Sequence, residues 1–187
     1  MSQFTAQTTG EEVCEAFPSQ IKGQTFLVTG TSANGLGAKF ATILAKYSPA
    51  QIILVSRSKS KVDPVVDEIK SVNKNIVVKF VPCELSDQDS VRSAAETILS
   101  DAEISKIDVV VNNAGVMALL DYQVDKQGNE MQFSANHLGH FLLTNLIMPK
   151  ILAAGAGARI INLTSLGHRI GPFRFNDPTF SGGKECK

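Results

Sequence analysis

No run of like charge, no cysteine framework and no membrane-length apolar stretch marks this chain. Its 187 residues carry 18 Lys and Arg against 18 Asp and Glu, so the formal net charge is zero. A balanced chain without a Lys/Arg cluster lacks the electrostatic footprint of a nucleic-acid binder. Three cysteines, Cys14, Cys83 and Cys186, stand far apart and odd in number. They fit neither a metal-ligand spacing nor a disulfide framework, which points to a reducing compartment. The opening stretch "MSQFTAQTTGEEVCEAF" is polar and acidic, without the basic and apolar regions of a secretory leader. The apolar runs are strand-length, well short of the roughly 20 residues of a membrane helix. The expectation is a soluble, cytoplasmic protein, with peripheral membrane contact left open. Tyrosine is scarce as well, Tyr47 and Tyr122 being the two in the chain.

What is present is a regular alternation. Thr8 or Thr9 is placed to cap a short helix that runs to about Phe17, where Pro18 ends it. Compact apolar runs at 25–30, 51–56, 75–83, 106–115 and 158–165 read as strands. Helical spacing fills 35–47, 60–73 and 86–102, with Pro64 in the first turn of the second and Ser86 and Asp87 capping the third. Residues 128–154 read as one long helix, apolar on more than one face, with the second face offered to another helix or to a second subunit. The strands are continuous apolar runs, as in a parallel sheet covered on both sides. Right-handed crossovers then give an α/β, doubly wound parallel sheet of order 3-2-1-4-5. The length suits a single domain over 1–187, with a helical extension at 1–20 and an irregular tail at 166–187.

The first strand runs into "TGTSANGLG" and then a helix. Gly30 permits a tight turn off the strand, while Gly35 and Gly37 allow close backbone approach. Ser32 and Leu36 share that turn. The helix start supplies N–H donors and partial positive charge, a cradle for a nucleotide pyrophosphate. An ordinary strand–helix turn also uses glycine, but here both flanking elements are of the kind the motif requires. The second strand ends in "SRSKSK". A carboxylate there would suit a 2′-hydroxyl; Arg57 suits a 2′-phosphate, which favours NADP over NAD.

These residues resemble the short-chain dehydrogenase/reductase family, in its retinol-dehydrogenase-like branch, and imply its Rossmann fold. The family's TGxxxGxG is matched by Thr29, Gly30, Gly35, Leu36 and Gly37, with one extra loop residue. Its NNAG is matched by Asn112, Asn113, Ala114 and Gly115, beside the adenine. Its Asp-Leu after strand three is matched by Glu84 and Leu85, with a longer acidic arm. "NHLGHFLLT" and "RIINLTS" are similar too. The resemblance implies hydride transfer between a nicotinamide and a small alcohol or carbonyl substrate. It also implies Asn136 in a proton relay, Ser165 on the substrate oxygen, and a homo-oligomer through the 128–154 helix. His137 and His140, three apart on that helix, are expected in packing or surface roles rather than on a metal.

The family's proton donor is a tyrosine with a lysine four residues later, beyond the serine. Tyr122 and Lys126 have that spacing in "DYQVDK", but they precede Asn136 and Ser165 in a turn-rich segment. Asn129 and Gln132 look like the start of the next helix. The pair therefore reads as a coincidence of spacing. No tyrosine lies among residues 166–187, so the chain resembles a family member shortened before its donor and its last strands. A cofactor-binding module without chemistry is the alternative, and an inactive remnant a third reading.

Overall fold

The computed structural model describes residues 4–169, 171 and 173–180. Cys186 and the end of the tail lie outside them. Five strands form one parallel sheet: β1 (Thr25–Thr29), β2 (Gln51–Ser56), β3 (Val77–Pro82), β4 (Val109–Asn112) and β5 (Arg159–Asn162). Their order is β3-β2-β1-β4-β5, and the pairs β1–β2, β1–β4, β2–β3 and β4–β5 are all parallel. The expected doubly wound sheet is therefore the fold of this chain.

Burial explains why those runs are apolar throughout. Every residue of β1 and β2 is buried. One face packs Phe26, Ile52 and Leu54 against α2 (Leu36–Ala45) and α3 (Lys59–Val72). The other packs Leu27, Ile53 and Val110 against α4 (Gln88–Ser100) and the helices that follow β4. The two outer strands depart from the expectation of full cover. β3 is buried only at Val81, and β5 is exposed along its whole length, with Ile160 and Ile161 open on opposite faces of the sheet.

The helix starts follow local capping chemistry. Thr9 accepts from the Glu12 N–H while Glu12 returns a bond to the Thr9 N–H, a reciprocal box that starts α1 (Gly10–Ala16). Asp87 accepts from the Asp89 and Ser90 N–H groups and starts α4. Two expectations need correction. Pro64 lies inside α3, not in its first turn; α3 starts at Lys59, so the ring falls in the second turn, where proline has no N–H to give the helix.

The single helix expected over 128–154 is a broken series. Its first turn is α5 (Met131–Phe133), which Glu130 caps by accepting from the Gln132 and Phe133 N–H groups, in place of an Asn129 start. A π turn follows over Ser134–Leu138, then α6 (Gly139–Leu146) and α7 (Met148–Leu152). Pro149 can give no N–H to the preceding turn, and the chain leaves helical geometry at Ile147, so α6 and α7 separate there. Extra-residue π turns of this kind occur often at functional sites.

Candidate functional site

The C-terminal ends of β1, β2, β3 and β4 open along one edge of the sheet. A cleft of about 320 Å³ lies there, lined from β1 by Gly30, from the β2 end by Ser56 and Arg57, from the β3 end by Glu84 and Leu85, and from the β4 end by Asn113, Ala114 and Gly115. It sits where the strand order reverses between β1 and β4, the usual ligand position in such sheets. Ser32 and Leu36 complete the wall. Gly37 does not line the cleft; it lets α2 approach the sheet, since a Cβ on it would stand 2.6 Å from both the Gly30 O and the Asn113 Nδ2.

The start of α2 faces this cleft without a side-chain cap, because Gly35 stands at the N-cap. Its first N–H groups are donors left for a ligand. The extra loop residue is accommodated at Asn34, whose φ of 67° is one an asparagine tolerates. Ala33 N–H then donates to the Lys61 O at 2.8 Å, tying the loop to α3. Leu36 is 83% exposed at the rim, an apolar surface open to a bound ring system. These features fit the pyrophosphate and adenosine of a dinucleotide.

Arg57 reaches over the opening and pairs with Glu84, Nη1 to Oε2 at 3.4 Å. Lys59 is turned away onto Asp63. Glu84 is fixed by Ser86, whose N–H and hydroxyl both donate to its Oε1. Between these strand ends lies Cys83, buried, its thiol pushed up to about 12 by burial and then by the charges of Glu84 and Asp87. It stays a thiol at neutral pH and acts as core.

The β1 and β4 ends are locked through one hydroxyl. The Asn113 and Ala114 N–H groups each donate to Thr29 Oγ1 at 2.9 Å. Both lone pairs are then occupied, so the hydroxyl proton must go to its third neighbour, His140 Nε2 at 2.8 Å. That nitrogen is the acceptor, and Nδ1 carries the hydrogen that it donates to the Asn136 O at 3.0 Å. The Asn136 side chain clasps Val116 both ways, accepting from its N–H and donating to its O. His140 thus connects the glycine-turn strand to the π turn that carries Asn136. The sequence alone predicts only a packing or surface role for it. The signal for more was its place four residues after Asn136, within reach of that carbonyl on a helix. His137 does pack, between the rings of Phe133 and Phe141, and no group of three or more potential metal ligands occurs among the described residues.

Burial lowers the His140 pKa below 6.5; the bond to Asn136 opposes this and nearby His137 adds to it. The folded protein holds His140 neutral while the unfolded chain protonates near 6.5. Stability is therefore flat above that pH and is lost as pH falls through it towards the lowered folded value. His140→Phe is expected to remove this acid sensitivity. It also leaves the Thr29 hydroxyl without its acceptor, a loss of about 1–3 kcal/mol at neutral pH. Urea midpoints at pH 7.5 and 5.5 for the two proteins check both effects.

Ser165 and Asn136 are not hydrogen-bonded to each other. The exposed Ser165 Oγ accepts from the Gly167 N–H at 3.1 Å, while Asn136 borders a second cleft together with Leu163 and Thr164. Tyr122 and Lys126 part company, as the turn-rich context implied. Tyr122 donates to the Thr179 O at 2.6 Å and Lys126 pairs with Asp87 at 2.5 Å. Tyr47 donates to the Glu11 O of α1. Asn112, expected beside the adenine, is buried instead between α6 and β5, donating to Thr144 and Asn162.

A family model for short chain dehydrogenases matches residues 24–176. An oxidoreductase of Fusarium equiseti, fscI, is 34% identical over 97% of this chain and 71% of its own length. Human retinol dehydrogenase 13 is 40% identical over 87% of this chain and 48% of its own. The chain thus spans about half the length of that relative. Among solved structures, a short-chain type dehydrogenase/reductase from Mycobacterium marinum aligns with a TM-score of 0.64 at 25% identity. That alignment covers 82% of this chain and 60% of the other. No described helix is long and apolar enough to cross a membrane.

Proposed function

Because the chain belongs to the short-chain dehydrogenase family, we propose that its cleft binds NADP and that it serves hydride transfer between the nicotinamide and an alcohol or carbonyl substrate. The observation that carries the cofactor reading is Arg57 standing over a cleft whose far wall is the uncapped start of α2. In this reading, Gly30, Ser32, Gly35, Leu36 and Gly37 form the pyrophosphate turn, with α2 supplying N–H donors. Arg57 meets the 2′-phosphate. Glu84, Leu85, Asn113, Ala114 and Gly115 border the adenosine. The bound nicotinamide supplies or accepts the hydride. Asn136 holds the Val116 backbone beside the cleft, and Ser165 offers its hydroxyl to the substrate oxygen.

A charged hydrogen bond to phosphate is worth about 1.5–3 kcal/mol, or roughly 10- to 100-fold in affinity. Arg57→Gln is therefore expected to weaken NADP by that factor and to change NAD by less than about twofold. Calorimetric titration of both cofactors decides it: equal losses for NADP and NAD would remove Arg57 as the selectivity group.

A second reading is a binding module without chemistry. Its support is that Tyr47 and Tyr122 both spend their hydroxyls on backbone carbonyls, away from Asn136 and Ser165. Turnover with NADPH and a panel of aldehydes and ketones separates the two. A rate lost on Ser165→Ala and kept on Tyr122→Phe supports hydride transfer with a donor other than tyrosine. Saturable binding without turnover supports the module.

A further inference from the structure

The Arg57–Glu84 pair raises a question that the cofactor reading leaves open. If Arg57 is the partner of a 2′-phosphate, its positive charge is already engaged. The two side chains meet across the opening of the cleft at 3.4 Å and are 67% and 38% exposed.

The two partners are not equally free. Glu84 is held at three points. Its N–H donates to Ser90 Oγ at 2.9 Å, its O accepts from the Asp87 N–H at 3.0 Å, and its Oε1 accepts the N–H and hydroxyl of Ser86. Its remaining oxygen, Oε2, faces Arg57. Arg57 has no other ion pair among the described residues, and its long side chain lies mostly in solvent. An arriving phosphate can draw Arg57 away, but the Glu84 carboxylate stays where Ser86 fixes it. A ligand with a 2′-hydroxyl meets no such competition, and its hydroxyl can donate to the same Oε2.

We propose that Glu84 is a specificity-determining residue: by holding Arg57 in competition with the 2′-phosphate, it narrows the preference of this chain for NADP over NAD. This rests on the reading of the cleft as the cofactor site with Arg57 on the phosphate. An exposed pair of this kind is worth little, and its release changes affinity by about three- to fivefold.

The test is titration of the full chain with 2′,5′-ADP and with 5′-AMP. Glu84→Gln keeps an amide oxygen for Ser86 and loses the charge. It is expected to bind 2′,5′-ADP about three to five times more tightly than wild type, whereas 5′-AMP, whose 2′-hydroxyl loses the Oε2 acceptor, gains nothing. Glu84→Met, a second uncharged side chain of similar length, should give the same gain. Circular dichroism establishes that each variant is folded. In an Arg57→Gln background the gain should vanish, because the competition acts through Arg57. Equal or weaker binding of 2′,5′-ADP by both Glu84 variants overturns the proposal while leaving the cofactor reading intact. A gain that persists without Arg57 also overturns it, since Glu84 would then repel the phosphate directly. If wild type binds 2′,5′-ADP no better than 5′-AMP and Arg57→Gln changes neither, the cofactor reading fails and the proposal fails with it.

Discussion

Gly139→Ala is expected to remove about 3 kcal/mol of stability, the upper end of what overpacking costs and a large share of what a domain of this size possesses. Helix propensity points the other way, since alanine in a helix is favoured over glycine by about 1 kcal/mol. Packing decides the sign. Gly139 begins α6, and a Cβ there would collide with the Leu85 carbonyl oxygen and lie 2.8 Å from its carbon. Both colliding groups belong to main chain, so no flexible side chain can yield. To relieve the clash α6 must move off the β3–α4 turn, and Leu143 and Ile147, both fully buried, move with it. The same shift disturbs His140, the next residue. Urea unfolding monitored by circular dichroism measures the loss. A change below 1 kcal/mol would show that α6 does not press on Leu85 as described.

The second large effect is at Gly30. Its φ is +72°, and a Cβ there would stand 2.7 Å from the Ala114 Cα. Gly30→Ala therefore combines left-handed strain of about 1–2 kcal/mol with a collision costing about 1–3 kcal/mol. The collision pushes the β4 end from the β1 end and opens the floor of the cleft, so nucleotide affinity should fall at least about tenfold. Gly128 separates the two terms. Its φ is +84° with open space around the Cβ position, so Gly128→Ala should show the strain alone and leave nucleotide binding unchanged. Equal destabilisation at the two glycines, with unchanged nucleotide affinity at Gly30, would remove the close approach of Ala114 from the account.

The sheet was legible in the sequence because two strands buried on both faces, β1 and β2, must be apolar at every position. The order 3-2-1-4-5 followed from alternation and handedness. Element ends were less legible. Residues 106–108 and 113–115 continue the apolar or motif character of strand four, yet only Val109–Asn112 is strand. The remainder belongs to the turns at its two ends. The broken helix after Glu130 was hidden because a π turn keeps the apolar composition of an α-helix while shifting its phase. Pro149 was the visible signal of the second break.

At the candidate site, the glycine turn and Arg57 were legible, since turn geometry and charge act locally. Three features depend on tertiary contact and leave little local trace. Thr29 unites β1, β4 and His140 through one hydroxyl. Glu84 meets Arg57 from a different strand. Asn112 turns away from the cleft although its motif neighbours line it. Tyr122 and Lys126 do not share a face, because residues four apart do so only on a helix and this segment forms none.

The most direct test of the whole account is fluorescence titration of NADPH with the full chain. The expected result is a saturable enhancement that is reversed by 2′,5′-ADP and weakened at least about tenfold by Arg57→Gln. A folded protein, verified by circular dichroism, that gives no saturable signal up to millimolar NADPH would contradict it.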